Sequence, residues 1–258
     1  MPEIVGCFLG RVSPFAQLLI VFLQFVPVFL SFDPYTPLPF LLLALFQILV
    51  LGRVPVKRML KVLLPLSMLP VGLFVMNLFF SQPAEQETYH RILFFNVSRT
   101  GLDRALVVSV RSLTLIVISI GFLIVTDPLK LINALMQQIK FSPRFGFGLY
   151  VAWNTVPFLK TDLRRIENVH RIRLRAKRRT LREALPVAVT LLSGAIRHAE
   201  RASISMTARG LESSSSRSFL KKSRWKTIDT IYLAVFALAI SLIWMMIIRS
   251  GLFVFGLG

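Results

Sequence analysis

Apolar residues in this chain come in long runs separated by short polar breaks, not in the narrow periodic stripes of a water-soluble fold. A helix rises about 1.5 Å per residue, so about 20 apolar residues cross the roughly 30 Å hydrocarbon layer of a bilayer. Val12 to Phe32 meets that length. Met59 to Phe80 does so once Lys61 snorkels from its end. Leu106 to Thr126 is apolar apart from Arg111, and Ile228 to Ile248 is the cleanest run, with Asp229 at its edge. Leu38 to Leu51 is shorter, yet from Pro37 to Val54 its one charge is Arg53, so it can cross with its ends among the headgroups. Five spanning helices are predicted. Met1 to Arg11 lacks a cleavable signal pattern, so the first run is read as an anchor.

A sixth run, Phe145 to Leu159, is interrupted by Asn154, Thr155 and Pro157 and bracketed by Arg144 and Lys160. Charge bias decides how to read it, because short cytoplasmic loops collect Lys and Arg. Arg53, Lys57, Arg58 and Lys61 form a basic loop without acids and should be cytoplasmic. Ser81 to Arg104 mixes both signs and can face out. Leu106–Thr126 then returns the chain to the cytoplasm. If 145–159 crossed, the strongly basic stretch behind it would lie outside. The run is therefore read as a helix packed at the cytoplasmic face, with a re-entrant or spanning helix as the alternative.

Residues 161–211 are rich in the helix formers Ala, Leu, Arg and Glu. Pro186 should break them, giving helices Asp162–Arg182 and Leu185–Ala208, with Gly210 as the left-handed cap of the second. Ala188, Ala195, Ala199 and Ala202 fall at helical spacings, which suits a tight helix crossing or an ordinary alanine-rich helix. Val189, Leu192 and Ile196 add an apolar stripe. Leu211 to Lys226 reads as a polar, basic linker. The pattern divides the chain into 1–126, with four spans; 127–226, at the cytoplasmic face; and 227–258, with the last span. The fold class is all-α, a polytopic membrane protein.

Composition agrees: 55% of residues are hydrophobic and 17% charged, against about a quarter charged in soluble domains. Lys and Arg number 31 against 12 acids, and 17 of those 31 lie between Thr161 and Lys226 with five acids. The excess therefore belongs to one arm. Cys7 is the single cysteine, which excludes an intrachain disulfide and a cysteine metal site. No phosphate-binding G-x-x-x-x-G-K-[ST] loop, G-x-S-x-G elbow or pair of carboxylates within a span occurs, and His90, His170 and His198 are scattered. No catalytic centre and no cofactor are predicted. Arg111, deep in an apolar run, is either functional or a structural partner within the bundle.

An ordered string of short motifs adds to this. Arg104-Ala-Leu opens the span that ends in Thr126-Asp-Pro-Leu. Leu131-Ile-Asn-Ala-Leu, Ser142-Pro-Arg, Val156-Pro-Phe-Leu and Leu185-Pro follow, and then Ala199-Glu-Arg-Ala-Ser-Ile-Ser-Met-Thr-Ala-Arg-Gly-Leu211. From about Arg104 to Leu211 the chain resembles the transmembrane T component of energy-coupling factor (ECF) transporters, a branch of the ABC importers.

The resemblance implies long crossed cytoplasmic coupling helices whose ends dock on two cytoplasmic ABC ATPase subunits, or one fused pair. It also implies a separate substrate-binding membrane protein, the S component, as partner. Each coupling helix ends in a three-residue motif with a central arginine. Ala208-Arg209-Gly210 matches the second motif. The first is Leu174-Arg175-Ala176 or, in a shifted register, Lys177-Arg178-Arg179, with Arg175 preferred; neither carries the family's glycine. The implied cargo is a vitamin, a vitamin precursor or a transition-metal ion, with a lean to thiamine or hydroxymethylpyrimidine. Two rivals stay open: a conventional ABC permease, and an anchored protein whose basic arm binds anionic lipid or nucleic acid. On the T-component reading the partners are the ATPases, the S component and the bilayer, without nucleic acid.

Overall fold

The computed structural model describes residues 8–31, 33, 35–80, 90–92, 95–97, 99–139, 141–174, 181–211, 219 and 222–249. In chain order the elements are α1 (Phe8–Arg11), α2 (Pro14–Leu30), α3 (Pro37–Phe46) with a π-helical turn over Gln47–Leu51, α4 (Val56–Leu66) and α5 (Met68–Phe80). A short antiparallel hairpin follows, β1 (His90–Ile92) and β2 (Phe95–Val97), pairing Arg91 with Asn96. The remaining helices are α6 (Arg99–Val125), α7 (Pro128–Gln138), α8 (Pro143–Leu174), α9 (Leu181–Ala208) and α10 (Thr227–Arg249). The chain forms two compact units, Met1–Leu131 with Trp225–Gly258, and Ile132–Arg224.

The first unit is the membrane bundle. Three of its helical stretches are long and apolar enough to cross: Val56–Phe79, Gly101–Val125 and Thr227–Arg249. Pro14–Leu30 and Pro37–Leu51 are shorter apolar helices. α6 is central and packs on α2, α3, α4 and α5, while α10 packs on α2. Between them lies a core that includes Ile20, Phe40, Ile48, Val117, Phe236 and Ile240.

Polar groups mark the two ends of this bundle. At one end Asp229, 1% exposed, sits three residues into α10 after Lys226. Its Oδ2 accepts the Lys226 backbone N–H at 2.8 Å, the return half of a capping box. Its Oδ1 accepts the Ser13 N–H at 2.6 Å, just before α2 begins. The Phe15 and Trp225 rings meet edge to face, and Trp225 Nε1 donates to Thr230 Oγ1 at 2.7 Å. At the same end Thr126 Oγ1 and Gln17 Oε1 lie 2.8 Å apart, joining α6 to α2.

At the other end Arg111 Nη1 donates to the Ser31 carbonyl at 3.2 Å. Ser31 caps the C-terminus of α2, where the helix dipole favours a cation. Arg111 therefore holds a structural position between α6 and α2. Buried Thr114 Oγ1 donates to the Val110 carbonyl at 2.8 Å and approaches the Pro37 carbonyl at 3.5 Å. These pairings put the ends of the apolar segments where strict alternation through a membrane requires: the starts of α2 and α10 and the finish of α6 together, the finish of α2 and the start of α3 together.

The π turn also has a packing reason. Gly121 on α6 has no side chain, and a Cβ there would overlap Cγ1 and Cδ1 of Ile48. The widened turn over Gln47–Leu51 thus presses Ile48 into the α6 surface.

The second unit corrects two expectations from the sequence. Phe145–Leu159 is not a separate helix from 162–182: α8 runs unbroken for 32 residues, Pro143 to Leu174, with Pro157 inside it. Proline removes one backbone hydrogen bond at a cost of about 3 kcal/mol. The helix nonetheless continues past it into a stretch rich in Leu, Arg and Glu, and Thr155 and Thr161 return their hydroxyls to the carbonyls of Val151 and Pro157. Pro186 likewise does not break the arm. It lies inside α9, which runs from Leu181 to Ala208. Only the Arg182 carbonyl loses its partner there, close to the helix start where the ladder is already incomplete.

Replacing Asp229 with Ala should remove the carboxylate that accepts from the buried Ser13 N–H and the part-buried Lys226 N–H. We expect about 3 kcal/mol of destabilisation, from two charge-assisted bonds. Asp229→Asn, with one acceptor oxygen, should fall between. Thermal unfolding in detergent, followed by circular dichroism, checks the order wild type, Asn, Ala.

Candidate functional site

The arm is built from helix starts and helix ends. α7 begins at Pro128, where the fixed φ suits the first turn, and Asp127 Oδ1 accepts the Leu129 N–H at 3.0 Å. The motif Thr126-Asp-Pro thus ends one helix and caps the next. At its far end α7 holds the returning linker: Gln137 Oε1 accepts the Ser223 N–H at 2.7 Å.

α8 and α9 pack against each other. At about 1.5 Å per residue they are roughly 48 and 42 Å long. On α8 the half-buried positions Phe147, Val151, Thr155, Leu159, Leu163, Ile166 and His170 recur every three or four residues, one stripe of a straight helix. On α9 the less exposed side carries Val187, Leu191, Ala195, Ala202 and Met206. Of the four small residues singled out from the sequence, Ala195 and Ala202 are on this side, while Ala188 and Ala199 are exposed. The opposite side carries Leu185, Val189, Leu192 and Ile196, each more than half exposed. α9 is therefore apolar on two faces.

The end of α9 is sharply defined. Gly210 has φ 81°, the left-handed region. The Gly210 N–H donates to the Thr207 carbonyl at 2.9 Å and the Leu211 N–H to the Met206 carbonyl at 3.0 Å. These are the two bonds of a Schellman motif, which closes the last helical carbonyls. Arg209 is the C-cap residue, its own N–H donating to the Ser205 carbonyl at 3.2 Å. Its side chain is exposed, next to the negative end of the helix dipole. Ala208 is the last helical residue. A guanidinium placed this way offers a planar fork of donors for a carboxylate or a carbonyl pair.

The first arginine motif is different. α8 ends at Leu174, and Arg175, Ala176 and Arg178 lie outside the described residues, as does Arg179. The sequence reading missed Gln137, Ser223 and Asp229, which organise the entry to α10. An acid three residues after a helix start was the available signal for Asp229. Among the described residues no group of three His, Cys, Asp or Glu side chains could hold a metal ion.

Comparison with known proteins places these features in a wider set. The profile of the CbiQ family, described as cobalt transport protein, matches residues 7–219. The chain is also similar to three proteins named energy-coupling factor transporter transmembrane protein EcfT. That of Exiguobacterium sibiricum is 28% identical over 251 residues, covering 92% of this chain and 94% of its own. That of Limosilactobacillus fermentum is 26% identical over 250 residues, covering 90% of each. That of Bacillus subtilis is 24% identical over 234 residues, covering 85% of this chain and 86% of its own.

Gly210→Ala should strain the αL position by about 1 kcal/mol. Amide exchange at Arg209, Gly210 and Leu211 should then speed up severalfold, with Gly210→Asn, which tolerates this conformation, affected less.

Proposed function

This chain belongs to the CbiQ cobalt transport protein family, and from that premise we propose that it is the energy-coupling membrane subunit of an ECF importer. In this reading two cytoplasmic ATPase subunits, or a fused pair, hydrolyse ATP, and this chain passes their motion to a substrate-binding S component in the membrane. The chain itself performs no chemistry. The S component selects the cargo: a vitamin, a vitamin precursor or a transition-metal ion, with thiamine or hydroxymethylpyrimidine the favoured pair.

The observation that carries the reading is the Schellman-capped end of α9 with Arg209 as its C-cap. A helix end locked by two backbone bonds fixes the point at which the exposed Arg209 side chain leaves the helix, which suits a docking anchor. Ala208 and Gly210 keep the surroundings of Arg209 small enough for a close approach. Arg175 with Ala176, or Arg178 in the shifted register, supplies the anchor for the second ATPase. Nucleotide-driven closure of the ATPases moves both anchors, and the long helices α8 and α9 carry that motion. Of the small residues of α9, Ala195 and Ala202, on its less exposed side, let the coupling helices cross closely.

A conventional permease would need a solute path through its own spans. The bundle holds a cavity of ≈ 30 Å³ lined by residues including Gln17, Gln47, Gly121 and Tyr232. That is room for about one or two waters, far short of a vitamin.

Arg209→Ala should weaken ATPase binding by about tenfold to a hundredfold, the loss of one charge-assisted contact of about 1.5–3 kcal/mol. Arg209→Lys, which keeps charge but loses the fork, should fall between. Pull-down titration with the ATPase pair, together with ATP-dependent uptake in proteoliposomes, reads both. Unchanged assembly and unchanged uptake in Arg209→Ala would sink the proposal.

A further inference from the structure

Inside the membrane bundle, a glutamine amide borders a small cavity without a partner in the protein. Gln47 opens the π turn, and its Nε2 is buried with no hydrogen-bond acceptor among the described residues. An amide donor left unpaired is costly, and most of all in a bilayer, where no bulk water reaches it. Buried polar groups in native folds are therefore almost always bonded, either to protein or to ordered water.

Gln47 lies on the wall of the ≈ 30 Å³ cavity. The other polar side chains on that wall are Gln17, from α2, and Tyr232, from α10. Both are buried, at 5% and 4% exposure. Separate helices thus bring three polar residues to one place, while the rest of the wall is apolar, with Ile118 and Phe122 from α6. Gln17 spends its Nε2 on the Leu9 carbonyl at 2.6 Å. Its Oε1 accepts from Thr126 Oγ1 at 2.8 Å and keeps a second lone pair. The Tyr232 hydroxyl both donates and accepts.

A water needs about 10–15 Å³ of such space and two to four polar partners. The volume suffices for about one or two waters, and Gln47, Gln17 and Tyr232 supply the partners. The backbone gives a reason for the location. The Gly52 N–H donates to the Gln47 carbonyl, five residues back, at 2.9 Å, so the helix is wider here than an α-helix. Ordered water is one of the means by which irregular turns in membrane helices satisfy their polar groups.

We propose that this cavity is an internal hydration site, in which water accepts from Gln47 Nε2 and is held further by Gln17 Oε1 and the Tyr232 hydroxyl. The ligand is water, not a lipid tail, because an apolar occupant would leave the Gln47 donor unpaired. The site adds a solvent-mediated joint between α2, the π turn and α10.

Brief X-ray radiolysis of the full-length chain in nanodiscs, read by mass spectrometry, tests this. Hydroxyl radicals formed from bound water oxidise adjacent side chains even where bulk solvent is excluded. Tyr232 is on the cavity wall, whereas the buried rings of Phe40 and Phe236 are not. Tyr232 should be oxidised about tenfold faster than either ring, as a side chain beside a held water. Gln47→Met, similar in size but without the donor, should slow Tyr232 oxidation about fivefold and leave both phenylalanines unchanged. Gln47→Glu, which keeps a polar head, should retain the fast oxidation. Wild-type Tyr232 reacting no faster than Phe40 and Phe236 overturns the inference, and so does an unchanged Tyr232 rate in Gln47→Met. The wild-type comparison needs no variant, so it decides the matter even if Gln47→Met fails to fold. None of these readouts involves the ATPases, so failure here is distinct from failure of the coupling role.

Discussion

A buried carboxylate that satisfies two backbone amides holds the membrane bundle closed. Asp229 caps its own helix through the Lys226 N–H and reaches across to the Ser13 N–H. The bond to Ser13 is buried, so losing it costs more than losing an exposed contact would. The tie brings together the first long helix and the last, and with them the flanking Phe15–Trp225 contact. Everything else in that unit is arranged around the pairing: α6 clasps α2 at Gln17 and at Ser31, and α3 follows from Pro37 beside Thr114. The bundle is thus specified by a few polar contacts set in a core that apolar packing alone would leave free to slide.

The arm follows a different logic. Its large excess of basic residues first suggests electrostatics in general, yet charge spread along an exposed helix is screened within about 8 Å at physiological salt. What distinguishes Arg209 is placement. The left-handed Gly210 and two backbone bonds fix the helix end, so the exposed Arg209 side chain leaves the arm at its capped terminus, whereas Arg197 and Arg201 are hydrogen-bonded along the helix to Ser193 Oγ and to the Arg197 carbonyl. In the proposed docking role the capped terminus supplies the specific contact, and the remaining charges add general electrostatic attraction to an acidic surface.

Much of this was legible in the sequence because bilayers impose a length. The long runs around Leu106–Thr126 and Ile228–Ile248 correspond closely to α6 and α10, and the glycine at 210 ends its helix as the residue type suggests. Proline misled the reading at Pro186, where one missing hydrogen bond near the helix start does not end α9, and Pro157 likewise lies inside α8. Asp229 was read as an edge charge because its second partner, Ser13, lies 216 residues away. No window along the sequence spans that distance. The π turn at Gln47 was equally hidden, since it depends on Gly121 from another helix.

The Ser13–Asp229 contact also sets an order of events in biogenesis. The first long helix leaves the ribosome early, whereas its carboxylate partner is translated 216 residues later. At about 5–20 residues per second that interval is roughly 10–40 s. During it α2 is in the membrane without the Asp229 carboxylate and without the α10 surface it packs on. The insertion machinery, or an early lipid or protein escort, therefore has to shelter that helix until the last one arrives. A nascent chain truncated before Asp229 would present quality-control proteases with a bundle that cannot close.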